Sequence, residues 1–135
     1  MPKTLKKAEI LRGKKNFQII FDRGKRIQGR LLQCLVLNDA GFLSKNPPRV
    51  VIGAAVGSRL KKATQRNRIK RLIRESYRLN KEIILSRVKN QTNPMALMFV
   101  YRTRSAAAGS HDPSYDDIER DVKELLGRVV ERGQC

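Results

Sequence analysis

The apolar positions of this chain change period several times, and each change marks an element. Phe17, Ile20 and Phe21 recur at i, i+3 and i+4, the spacing of one helical face. Asn16 can cap the start of that helix and Gly24 is placed to end it. Residues 30–38 then read as a strand between Gly29 and the Asn38-Asp39 turn signal, with residues 25–28 adding a short edge strand before it. Gly41 and the Pro47-Pro48 pair make 40–48 a loop. Residues 50–56 form a second long strand, whose Gly53, Ala54 and Ala55 predict close packing over it.

From an N-cap at Thr64 into the 80s the period returns to helical. At ~100° per residue Ile69, Leu72, Ile73, Ile83 and Ile84 share one side, and Asn67, Lys70, Arg71, Arg74 and Arg78 share the other. After a break at 90–94, residues 95–101 read as a third long, buried strand. A loop at 105–113 leads to Ser114, which with Asp117 matches a capping box. Tyr115, Ile118, Val122, Leu125, Leu126 and Val129 are the apolar stripe of the helix that follows. The expected fold is α+β, a two-layer α/β sandwich in the order α-β-β-β-α-β-α with helices on one face of a small sheet.

A length of 135 residues with 40% hydrophobic content suits one core. Residues 1–13, where Leu5, Ile10 and Leu11 show no sustained period, are expected to be a flexible basic arm, and 14–132 a single domain.

Charge sharpens this picture by its placement. The net charge is +18, and residues 1–30 and 59–78 carry eight net positive charges each, leaving +2 for the rest of the chain. Two such blocks are the footprint of a polyanion-binding protein. Residues 66–74 hold five cations and one amide around the apolar seam, with arginine favoured, and its planar fork can grip a phosphate through two hydrogen bonds. Uncompensated like charges at i, i+4 oppose helix formation by ~0.2–0.5 kcal/mol per pair, so a partner is expected to supply anions. Nucleic acid is the expected partner.

Other chemistries find little support. There is no run of ~18 apolar residues, no lipidation signal and no apolar stretch of a secretory signal, so no membrane role is expected and the cytoplasm is the expected compartment. Cys34 lies in an apolar strand and is read as core, and Cys135 is the last residue; neither has a metal-ligand spacing. A protein-only nuclease needs clustered carboxylates or an acid–base pair. Asp112, Asp116, Asp117, Glu119, Asp121 and Glu124 instead crowd the last helix, where compensation of its N-terminal dipole explains them, and His111 has no partner. No catalytic or metal-ligating residue is expected.

The run Arg66-Asn67-Arg68-Ile69-Lys70-Arg71-Leu72-Ile73-Arg74-Glu75, followed by Tyr77-Arg78, resembles the signature of the bacterial ribonuclease P protein family. Phe17 and Phe21 in a short first helix, Arg49 and Gly53 around the strand before the signature, and Arg102 after the next strand add to the resemblance, which spans roughly 11–130. It implies a left-handed β-α-β crossover, against the general right-handed rule. It also implies a protein subunit, paired 1:1 with a catalytic RNA, that assists Mg²⁺-dependent removal of the 5′ leader from precursor tRNA. The RNA would carry the chemistry, with Mg²⁺ in the holoenzyme and no cofactor bound by the protein alone.

The resemblance further assigns Arg59, Lys61, Lys62, Arg66, Asn67, Arg68, Lys70, Arg71, Arg74 and Arg78 to the RNA subunit. It assigns Phe17 and Phe21, with Arg12, Lys14, Lys15 and Arg102, to the leader; spacing alone favours Phe17 and Phe21 as core. In relatives the leader wall often has an aromatic on the sheet where this chain has Cys34 and Leu35. A structural RNA-binding protein of ribosomal type explains charge and helix equally well but not the matched flanks. A DNA-groove reader lacks a preceding partner helix.

Overall fold

The computed structural model describes Leu5 and residues 7–38, 49–57, 62–88, 94–101 and 113–131. A 3-10 turn at Lys7–Glu9 is followed by α1 (Lys14–Arg23), β1 (Lys25–Gln28), β2 (Leu32–Asn38), β3 (Val50–Val56), α2 (Ala63–Asn80), α3 (Glu82–Val88), β4 (Met95–Tyr101) and α4 (Tyr115–Glu131). The strands form one sheet in the order β1-β2-β4-β3. β1 pairs antiparallel with β2 and β2 with β4, while β3 runs parallel to β4. A parallel neighbour needs a crossover, and α2 and α3 provide it.

Alternation along the strands divides the core in two. On one face Cys34, Val36, Val50, Ile52, Leu97 and Phe99 meet Ile69, Ile73 and Tyr77 of α2, Ile84 of α3, and Ile118, Val122 and Leu125 of α4. The expected long helix, here α2 and α3, and the terminal helix α4 form this layer. On the other face Leu35, Val51, Ala96, Met98 and Val100 meet Leu11 and Ile20, flanked by half-buried Phe17 and Phe21. So α1 does not join the helical layer but covers the opposite face of the sheet. One apolar stripe per helix does not say which face it takes, and strands as apolar as β4, buried at all seven positions, accept helices on both.

Local chemistry explains the boundaries. Gly13, at φ 90°, turns the chain into α1, a conformation that suits glycine. Gly24 ends the helix by donating its N–H to Ile20 O at 2.7 Å. Asn16 does not cap the start; it lies inside α1 and its Nδ2 donates to Arg12 O at 2.9 Å. Thr64 is likewise inside α2, which begins at Ala63 with Lys62 in the cap position and no side-chain cap. The capping box of α4 is formed: Asp117 N–H donates to Ser114 Oγ and Ser114 N–H to Asp117 Oδ2, both at 3.2 Å. Those bonds hold the Asp117 carboxyl below its ordinary range.

The long helix expected into the 80s is two helices, interrupted at Lys81. No Pro or Gly marks the site. Instead Ser76 Oγ donates to Leu72 O at 2.7 Å and Asn80 Nδ2 to Ser76 O at 2.8 Å, side-chain bonds to i−4 carbonyls that compete with the helix ladder. Lys81 turns inward, with its ammonium 3.1 Å from Glu9 Oε1.

That pairing ties down residues the sequence pattern placed in a flexible arm. Ile10 bridges Ile52 in parallel, Leu11 N–H donates to Ile52 O at 2.7 Å, and the Leu11 side chain is buried. A Cβ on Gly53 would lie 2.9 Å from Leu11 Cδ2 and 3.4 Å from Phe17 Cε1. The packed body therefore includes residues before 14, and the small residues of β3 admit the close approach they predicted.

Asp121 corrects the reading that dipole compensation accounts for the acids of α4. It is buried, and its carboxylate accepts the N–H groups of Arg30, Leu31 and Leu32 at 3.0, 2.9 and 2.7 Å. The bend between β1 and β2 thus takes its hydrogen bonds from a helix some 90 residues away in sequence.

Candidate nucleic-acid interface

Two sets of functional side chains follow from this frame. The first lies on α2, whose buried line is Ile69, Ile73, Ser76 and Tyr77. Asn67, Arg68 and Arg71 are exposed, whereas Arg66, Lys70, Arg74 and Arg78 are half-buried. The second group sits at i+4 intervals and forms one ridge along the flank of the helix.

Among the described residues Arg68, Lys70, Arg71 and Arg74 form no ion pair with a carboxylate. Glu75, the one acid of α2, is held by Arg78 through Nε at 2.8 Å and Nη2 at 2.7 Å. Arg68 Nη1 donates to the Pro113 carbonyl at 3.1 Å, which steadies its base without cancelling its charge. Arg74 Nε is buried and unpartnered, a costly state for a charged donor unless an anion arrives at the same guanidinium. Lys62 is exposed at the start of α2. Arg59 and Lys61 lie outside the described residues.

The second set lines a groove of about 660 Å³ between α1 and the sheet. Gly13, Lys14, Phe17, Gln18 and Phe21 form one wall; Ala54, Ala55 and Val56 of β3 with Met98 of β4 form the floor; Lys70 of α2 closes the rim. Phe17 and Phe21 are neither fully buried nor free: both are half-buried, set against the core and facing the groove. The guanidinium of Arg26 lies over the Phe21 ring, 4.9 Å from its centroid.

Of the six residues assigned to the leader, Lys14, Phe17 and Phe21 come together in the groove. Arg12 and Lys15 are exposed nearby on the same segment but do not line it. Arg102 lies outside the described residues. Lys70, grouped by angle with the outward cations of α2, reaches the groove instead, because β3 is an edge strand and a helix lying over the edge can send a long side chain around it. Leu35 faces the α1 side of the sheet, while Cys34 belongs to the other core, where burial pushes its thiol pKa up. Gln18, Ala54, Ala55, Val56 and Met98 were not singled out as site residues by the sequence pattern; only the run of small residues in β3 signalled a close approach.

Among the described residues no three His, Cys, Asp or Glu side chains are grouped to hold a metal ion, and no helix is long and apolar enough to cross a membrane. What the arrangement offers is an aromatic groove with two lysines in its lining and a cationic helix face beside it, chemistry suited to single-stranded nucleic acid and to a folded polyanion respectively.

Comparison with known proteins agrees in fold and in family. Residues 5–130 match the family model described as Ribonuclease P. The ribonuclease P protein component of Chlorobaculum tepidum is 34% identical over 130 residues, covering 91% of this chain and 83% of that protein. The component from Clostridium kluyveri is 35% identical over 123 residues, covering 90% and 96%. Among solved structures, the RNase P protein of Thermotoga maritima superposes with a TM-score of 0.66 at 24% identity, over 89% of this chain and 96% of that one. The RNase P protein of Staphylococcus aureus gives 0.65 at 21%, over 91% and 96%. Since the family match runs through both the groove and the basic helix, this chain belongs to the ribonuclease P protein family.

Proposed function

We propose that the chain binds the catalytic RNA of ribonuclease P through α2 and holds the single-stranded 5′ leader of precursor tRNA in the groove beneath α1. Membership of the family makes it a protein component of a ribonucleoprotein endonuclease of tRNA processing. The observation that carries the finer reading is the lining of the groove, in which Phe17 and Phe21 are joined by Lys14 and Lys70.

Each part of that lining has a role. The two rings offer π faces one helical turn apart, on which unstacked bases gain ~1–3 kcal/mol apiece. Lys14 and Lys70 neutralise the adjoining phosphates. The exposed Asn67, Arg68 and Arg71 face away from the core and are available to the structured RNA, with Lys62 at the start of the helix. Bringing two polyanions together is opposed by their charge; a protein contributing +18 lowers that repulsion. In this reading Mg²⁺ is held by RNA phosphates and performs the hydrolysis, while the protein binds, orients and screens, in a 1:1 complex in the cytoplasm.

The test is cleavage of precursor tRNA by a bacterial ribonuclease P RNA at low Mg²⁺, with and without the chain. Stimulation that depends on the leader is expected. No stimulation at any Mg²⁺ concentration would sink the proposal.

A further inference from the structure

The sheet face that floors the groove continues past Phe21 to the β1 edge. Strand register places Gly53, Met98, Leu35 and Arg26 in one line across the sheet, each directly opposite the next. Directly opposed residues share a face, and Leu35 and Met98 belong to the core under α1. Arg26 therefore projects from the same face as the groove floor. Phe17 sits over the Gly53 end of this line and Phe21 over the Arg26 end.

Arg26 is exposed on the edge strand β1, and its contact with another side chain is the stack on Phe21. Its guanidinium donors meet no acceptor among the described residues. The cation–π contact with the ring restricts the side chain, and the guanidinium keeps its N–H donors for an anion. A planar fork held in this way is arranged for a phosphate, and it adjoins a groove suited to unstacked bases.

Resting on the groove reading above, we infer that Arg26 is a further substrate-binding residue. It grips the phosphate of a leader nucleotide just beyond Phe21 and extends the bound strand across the sheet to the β1 edge. The ligand is single-stranded RNA recognised through its backbone, so the contact adds affinity and sets how long a leader is felt without reading sequence.

The test uses the holoenzyme reconstituted with ribonuclease P RNA and precursor tRNAs whose leaders grow one nucleotide at a time, alongside a leaderless tRNA. Two variants separate phosphate binding from packing: Arg26→Ala removes both charge and cover, and Arg26→Met keeps an apolar cover over Phe21 without the charge. Both are expected to weaken binding of long-leader substrates about tenfold, as for loss of one charged hydrogen-bonded contact. Both should leave leaderless tRNA unchanged, and flatten the dependence of log K on log salt by about 0.7 for the leader-bearing substrate. If Arg26→Met binds like the parent, or if both variants weaken leaderless tRNA equally, Arg26 is only a lid on Phe21 and the inference fails. If the parent holoenzyme itself gains nothing from a leader, the groove reading falls, a result distinct from a leader effect that the Arg26 variants retain.

Discussion

The two faces of the sheet are built to different ends. Beneath α2, α3 and α4 the strands present Cys34, Val36, Ile52, Leu97 and Phe99 to a continuous apolar layer with almost no exposed surface. Beneath α1 a single ten-residue helix and the segment 7–13 cover only part of the sheet, leaving a groove floored by Ala55 and Met98. The sealed face holds the fold, and the open face keeps half-buried aromatic rings where a ligand can reach them. Such rings give up part of the ~25 cal/mol per Å² that complete burial would contribute. This division predicts that substitutions on the two faces will separate stability from binding.

The largest effects are expected on the sealed side. Ile73→Ala should lower unfolding free energy by about 2–5 kcal/mol in urea titration, the usual range for an emptied core site. Asp121→Asn replaces one carboxylate oxygen with a donor against the N–H groups of Arg30, Leu31 and Leu32, and should cost about 3 kcal/mol. On the open side Phe17→Ala should cost only about 1–2 kcal/mol of stability, while removing ~1–3 kcal/mol of leader binding by equilibrium titration. Equal stability losses for Ile73→Ala and Phe17→Ala would abolish the distinction between the faces.

Away from both cores, Arg71→Ala should leave stability within about 0.5 kcal/mol and reduce the salt slope of RNA-subunit binding by about 1. The smallest expected effect is a pH dependence. Asp117 has its folded pKa depressed below an ordinary value of 3.8, chiefly by the N–H and hydroxyl of Ser114. Its stabilising contribution is therefore complete above that value and is lost as pH falls through the folded pKa. Acid unfolding of Ser114→Ala followed by circular dichroism should show that component diminished.

Where periodicity had a single physical cause, the sequence was a good guide. Ile69 and Ile73 define the buried line of α2, residues 50–56 and 95–101 are strands to the residue, and Ser114 with Asp117 forms its box. Features that depend on distant partners were not legible. The inward turn of Lys81 needs Glu9, 72 residues earlier, and the burial of Asp121 needs the β1–β2 bend. The inclusion of Lys70 in the groove needs β3 to be an edge strand, which no local pattern specifies. For the same reason helical angles alone put Phe17 and Phe21 in the core; they face a groove because α1 takes the less covered face of the sheet.

The sealed face also contains its own clock. Cys34 has no exposed surface, and burial raises its thiol pKa, so the thiolate that reacts with a maleimide or a disulfide reagent is scarcely formed in the closed protein. Modification at that position must wait for the layer of α2 and α4 to lift. The rate at which Cys34 becomes labelled, read by mass spectrometry against time, thus counts openings of the face beneath α2 and α4, and a bound RNA that grips α2 would slow the count.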